Sequence, residues 1–146
     1  MQASSNFVKA IHICLYLDLK PGELKSSTEL AESVDTNPVV IRRLIALLKK
    51  GGVVDSVAGA RGGFKLAKAP GNITLWDIYL SVREEQFFNR PKVNKDCGIS
   101  CNLEYLIHDT FDAAEQSMKT ELIKVNISQL SSGMSEILDN STAIVA

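Results

Sequence analysis

The spacing of hydrophobic and polar positions changes several times along this chain, and each change marks an element. Between residues 4 and 19, Phe7, Val8, Ile11, Cys14, Leu15 and Leu19 recur at helical spacing, and Pro21-Gly22 ends the run. Ser26 and Glu29 form a capping box ahead of Leu30, Ala31 and Val34, which predicts a second helix of about two turns. Asp35-Thr36 makes a tight turn into Asn37, a good N-cap, and Pro38 suits a first helical position. The third helix is expected from Pro38 to Lys50, with Ile41, Leu44, Ile45 and Leu48 on one face and Gly51-Gly52 as its stop. Val53–Val57 and Gly63–Ala67 then read as short strands of a hairpin around Ala58-Gly59-Ala60-Arg61. Thr74 and Asp77 make another capping box, starting a helix that carries Leu75, Ile78, Tyr79 and Val82, with Trp76 packed under the domain or against a second chain. Short helix, turn, longer capped helix and hairpin together outline a winged helix-turn-helix.

Beyond Arg83 the periodicity lapses, and residues 83–101 read as an extended or mobile loop containing Cys97 and Cys101. Ser100 or Asn102 is expected to cap a long helix reaching about Asn126. Along it Leu103, Ile107, Phe111, Ala114, Met118, Leu122 and Val125 stand 4, 4, 3, 4, 4 and 3 residues apart. A winged domain of this size cannot cover so long a stripe, so the pattern predicts pairing with the same helix of a second copy. Leu130, Met134, Ile137 and Leu138 predict a last short helix, and residues 140–146 a disordered tail. The fold class expected is mainly α with a small β-hairpin wing. Its divisions are a DNA-binding domain over 1–82, a sensor loop over 83–101, dimerisation helices over 102–139, and the tail.

Charge sharpens this outline. The chain of 146 residues carries a net charge of −1, yet residues 38–68 hold seven Lys or Arg against the single acid Asp55. Positive charge gathered in one structural unit of a nearly neutral protein is what a phosphate-binding surface needs. In a helix-turn-helix the second helix enters the major groove with its N-terminal residues nearest the bases. That rule nominates Thr28, Thr36 and Asn37 for phosphate or base-edge hydrogen bonds, and Val39, Val40, Arg42 and Arg43 for the groove. Adjacent arginines cannot point the same way on a helix, so one is expected at a base and the other at a phosphate. In the hairpin, Arg61 is placed for a narrow minor groove and Lys65 for phosphates, while Gly62 and Gly63 permit close backbone approach to DNA or a positive φ in the hairpin. No nucleophile with its base, phosphate-binding loop or catalytic metal set is present, which argues against an enzyme. No apolar run is long enough to span a membrane, and the beginning of the chain lacks signal-peptide features, so a cytoplasmic protein is expected. Three cysteines in such a chain suggest thiols, ligands or redox sensing more than a disulfide framework.

Leu44 to Val54, Gly59-Ala60-Arg61-Gly62-Gly63-Phe64-Lys65-Leu66-Ala67, Pro70 and Ile73 to Ile78 together resemble the BadM/Rrf-two family of bacterial transcriptional regulators. The family's wing signature, Gly-x-x-Gly-Gly, an aromatic, then Leu-Ala, is matched by Gly59, Gly62, Gly63, Phe64, Leu66 and Ala67. The resemblance implies a homodimeric regulator, a repressor, binding a pseudo-palindromic operator. Where this chain has Val40, Arg42 and Arg43, many members carry other residues, so operator preference does not transfer. Several members hold an iron–sulphur cluster in the loop before the dimer helix, on three cysteines and a His, Glu or Asp. Here Cys97, Cys101 and His108 form a thinner set, short of a fourth ligand unless His12 or a partner subunit helps. No cofactor is therefore assigned. A thiol switch at Cys97 and Cys101, a small-molecule signal, and cysteines without a sensory role stay open beside the cluster. The competing functional class is a winged-helix adaptor that binds proteins without specific DNA binding.

Overall fold

The structure, a computed structural model, describes residues 2–84, 88 and 92–145. Its elements run α1 (Gln2–Leu19), α2 (Ser27–Val34), α3 (Pro38–Lys50), β1 (Val54–Val57), β2 (Gly63–Leu66), α4 (Leu75–Val82), α5 (Gly98–Leu122) and α6 (Ile127–Val145), with a short 3-10 turn at Pro70–Asn72 before α4. The expected class, mainly α with a hairpin wing, is the one found. Local chemistry explains most boundaries. Both capping boxes form: Glu29 N–H donates to Ser26 Oγ (3.2 Å) and Ser26 N–H to Glu29 Oε2 (2.8 Å), with the same exchange between Thr74 and Asp77. Asp35 closes α2 in the left-handed region (φ 57°), donating its N–H back to the end of the helix. A short polar side chain tolerates that conformation, and the turn it makes sets α3 across α2.

The core lies where α1 to α4 meet. Ala10, Ile13, Cys14 and Leu17 of α1, Leu30 and Ala31 of α2, Ile41, Leu44, Ile45 and Leu48 of α3, and Ile78 and Val82 of α4 pack with Val53, Val54 and Ile73. Ile127 at the start of α6 belongs to the same cluster and is fully buried. Two backbone bonds hold it there: Leu75 N–H donates to Val125 O and Ile127 N–H to Ile73 O, each at 2.9 Å. Ser131 Oγ donates to Asp18, tying α6 to α1 further along. The last helix thus folds back on the amino-terminal body. The long helix α5 contributes no buried residue and meets the body at α4, where Lys119 Nζ lies 6.0 Å from the Trp76 ring centre.

Three expectations need correction. The long helix begins at Gly98 with Cys97 as its N-cap, earlier than Ser100 or Asn102, so Cys101 is helical and the 83–101 loop is shorter than read. An Asx turn does this: Asp96 N–H donates to Asn94 Oδ1 (3.0 Å), Cys97 N–H to Asn94 O (3.2 Å), and Asn94 N–H reaches Ser100 Oγ (2.8 Å). The helix also ends at Leu122, short of Asn126, and Asn126 exchanges bonds with Gln129 to cap α6 (2.8 and 2.9 Å). Residues 140–145 are helical, against the disordered tail expected. Their Ser and Thr look like poor helix formers, but Ser141 Oγ donates to Ile137 O and Thr142 Oγ1 to Leu138 O, satisfying the hydroxyls inside the helix.

Candidate nucleic-acid interface

The Asn37 side chain accepts from Val39 N–H (2.8 Å), so its first task is to cap α3, and Pro38 fixes the first turn. With Ile41, Leu44, Ile45 and Leu48 turned inward, α3 presents Val39, Arg42, Arg43, Ala46, Lys49 and Lys50 outward. Val39 is 62% exposed, whereas Val40 is half-buried and packs against the core, so Val39 is the valine offered to a groove. Successive helical residues are rotated by about 100°. Arg42 therefore lies on the same flank as Lys49, toward the wing, and Arg43 on the opposite flank, toward α4. Thr28 is exposed in the first turn of α2; Thr36, half-buried, donates its N–H to Ala31 O (3.0 Å) in the turn between the helices.

The wing is held to this helix from two sides. Lys49 Nζ donates to Ser56 Oγ (2.6 Å), joining the end of α3 to β1. On the far side, Lys25 forms an isolated antiparallel bridge to Phe64 of β2, whose other edge carries the Val54↔Leu66 to Val57↔Gly63 register, through N–H···O bonds of 2.8 and 3.2 Å. Gly63 is needed for that contact, since a Cβ there would meet Lys25 O at 2.8 Å. A Cβ on Gly62 would stand 2.1 Å from Val57 O inside the hairpin. The two glycines thus serve close approaches within the chain itself. Lys25 is buried, and its Nζ bonds Glu23 at 2.7 Å; that hydrogen bond raises the lysine above its ordinary value and lowers the carboxyl below its own. Arg61 and Lys65 are exposed at the tip and outer face of the hairpin. Sequence reasoning did not find Lys25 or Lys49–Ser56, because neither pairing is periodic or local.

The cysteines fall into two environments. Cys14 is fully buried in α1, and burial pushes its thiol up to about 12. Cys97 is half-buried at the start of α5 and Cys101 is exposed one turn later. The Cys101 Sγ contacts the carbonyls of Asn94 (3.4 Å) and Lys95 (3.5 Å). His108 stands about two turns further along α5 and faces Asp112 (3.2 Å). Among the described residues no three of His, Cys, Asp and Glu converge to hold a metal ion. Thiol labelling of the native protein should modify Cys101 fastest, Cys97 more slowly and Cys14 only after unfolding. Peptide mass spectrometry over a time course checks this, and early labelling of Cys14 would contradict its burial.

The long stripe divides into two. Ile107, Phe111, Met118, Leu122 and Val125 are half-buried, while Leu103 and Ala114 are exposed. Phe111 stacks on Phe88 of the same chain with ring centroids 4.1 Å apart. Trp76, half-buried and stacked on Tyr79 (5.3 Å), lies below Lys119, whose Nζ is 6.0 Å from its ring centre. Beside this inward side runs a second series, Ile99, Leu103, Leu106, Thr110, Ala113 and Ser117, also at helical spacing and exposed throughout. Ile99 and Leu106 are 76% and 74% exposed. They were missed because the first series is the more apolar.

A capped helix with an outward basic face and a clamped basic hairpin beside it define a winged helix-turn-helix protein of the DNA-binding kind. The chain belongs to the Rrf2 family, whose model, described as iron-dependent transcriptional regulator, matches residues 3–133. It is 36% identical over 121 residues to YwnA of Bacillus subtilis (strain 168), an HTH-type transcriptional regulator by designation, covering 82% of this chain and 89% of the relative. The HTH-type transcriptional regulator NsrR of Shouchella clausii (strain KSM-K16) is 24% identical over 129 residues, covering 85% of this chain and 87% of its own. A crystal structure designated a DNA-binding protein is 33% identical with a TM-score of 0.68, over 86% of this chain and 97% of that one. The family and these relatives are transcriptional regulators, not enzymes. No helix among the described residues is long and apolar enough to cross a membrane.

Proposed function

We propose that this protein is a homodimeric repressor that occupies a pseudo-palindromic operator and responds to a signal received at the start of α5. The observation that carries the reading is the joint basic face of α3 and the wing, made one surface by the Lys49–Ser56 bond. Arg42 and Arg43 flank the ridge of Val39 and Ala46, a spacing suited to one base contact and one phosphate contact. Arg61 would enter the flanking minor groove, with Lys65 and the exposed Thr28 on phosphates. Twofold pairing through Ile99, Leu103 and Leu106 would set two such surfaces on successive turns of the duplex. Thr110, Ala113 and Ser117, being small, would let the paired helices approach closely.

Oxidation is the signal the cysteines support best. Two thiols give up two protons and two electrons to peroxide, forming a disulfide and water. Side chains four apart on a helix have Cβ atoms about 5–6 Å apart, and a disulfide needs about 3.5–4.5 Å. Joining Cys97 to Cys101 would therefore distort the first turn and strain the Cys101 N–H bond to Cys97 O, now 3.0 Å. The iron in the family's description is not carried into this reading: among the described residues Cys97, Cys101 and His108 are not brought together as a metal-holding group.

Selection from random duplex DNA, followed by titration at several salt concentrations, tests the reading. A palindromic site should emerge, with affinity falling steeply as salt rises. Arg42→Ala or Arg61→Ala should each weaken binding by about ten- to hundredfold while leaving the protein folded. Failure to enrich any sequence, or binding indifferent to salt, would defeat the proposal.

A further inference from the structure

Arg43, on the α4-facing flank of the recognition helix, does not stand alone. Its Nη1 lies 3.8 Å from Glu84 Oε1, and both side chains are more than half exposed, at 57% and 60%. Glu84 follows directly on the end of α4: the helix closes at Val82, and Arg83 turns into extended backbone (φ −65°, ψ 129°). The carboxylate thus meets the guanidinium across the α3–α4 junction, on the surface where the DNA phosphates or bases would lie. One guanidinium cannot give its full fork to both a carboxylate and a nucleic-acid acceptor.

We propose that Glu84 is an intramolecular competitor for Arg43, so that operator binding must first displace it and the residue sets how tightly the protein holds DNA. The inference rests on Arg43 being a DNA contact. Two features make the competition adjustable. The pair is exposed, so it is weak enough for DNA to break and is screened by salt. Glu84 sits outside a regular element, where a small change in backbone moves it.

The experiment is a double-mutant cycle on the full chain. Anisotropy titrations would use the duplex enriched by the wild-type protein, at low and moderate salt, with wild type, Glu84→Gln, Arg43→Ala and the double variant. Thermal unfolding of each confirms an intact fold. Glu84→Gln should tighten binding about two- to fivefold at low salt in the wild-type background and have no effect once Arg43 is alanine. Equal tightening in both backgrounds would mean that Glu84 acts through its charge on the whole DNA surface and would overturn the pairing. Unchanged or weaker binding by Glu84→Gln alone would overturn the competition. Should Arg43→Ala bind as well as wild type, the assignment of Arg43 to DNA fails, and the competition with it. A wild-type protein that retains no duplex would defeat the DNA-binding reading itself.

Discussion

Leu103→Lys combined with Leu106→Lys is expected to leave a folded monomer whose operator affinity has fallen by about two orders of magnitude or more. Both residues sit on the exposed face of α5, and that helix supplies no buried residue to the core, so the winged body keeps its packing. In a dimer joined through this face, two new cations per chain would oppose the same two from the partner in a desolvated seam. Each winged domain would then hold its half-site alone, without the high effective concentration that a linked second domain supplies. Sedimentation shows the mass, circular dichroism the retained helix, and anisotropy the affinity. A double variant that stays a dimer with undiminished affinity would move the interface elsewhere, with the half-buried stripe of Ile107, Met118 and Leu122 next in line.

Leu48→Ala should remove about 2–5 kcal/mol of stability, a large share of the roughly 5–15 kcal/mol that such a protein has. The side chain is fully buried in the last turn of α3. Its carbonyl accepts from Val53 N–H (2.9 Å), the bond that turns the chain from recognition helix into wing. Truncation would leave a void beneath both α3 and the wing. Urea unfolding should show a lower midpoint with an unchanged slope. Val39→Ala, on the opposite side of the same helix and 62% exposed, should shift stability by no more than about 0.5 kcal/mol. Similar losses from both would mean that α3 is not oriented as described.

What could be read from the sequence follows from how local each signal is. Ser26–Glu29, Asn37-Pro38 and Thr74–Asp77 place helix starts within a few residues of chain, and these boundaries agree with the structure. The stretch from Cys97 to Asn102 has no such cap. Its helix is set by Asn94 three residues upstream of Cys97, so the start of α5 and the helical setting of Cys101 were not legible. The long stripe was recognised as helical, but periodicity alone cannot say which of two adjacent faces meets the chain's own Phe88 and which is left outward. For Gly62 and Gly63 the sequence offers close approach to DNA or a positive φ in the hairpin; Gly63 has a φ of 159°, and the close approaches to Val57 and Lys25 inside the fold are not legible in the sequence. The acid facing Arg43 was invisible because Glu84 is forty-one positions away along the chain.

The return of α6 to the body has a consequence for how the protein comes into being. Ile127 belongs to the same core as Ile13, Leu44 and Ile78; its N–H donates to Ile73 O, and Leu75 N–H donates to Val125 O just before it. A chain emerging from the ribosome cannot close that core until about residue 130 is free, and by then the whole of α5 has been made. The winged body therefore matures only in a molecule that already carries α5, the helix proposed to pair two chains, so a prematurely terminated product would lack a finished winged body.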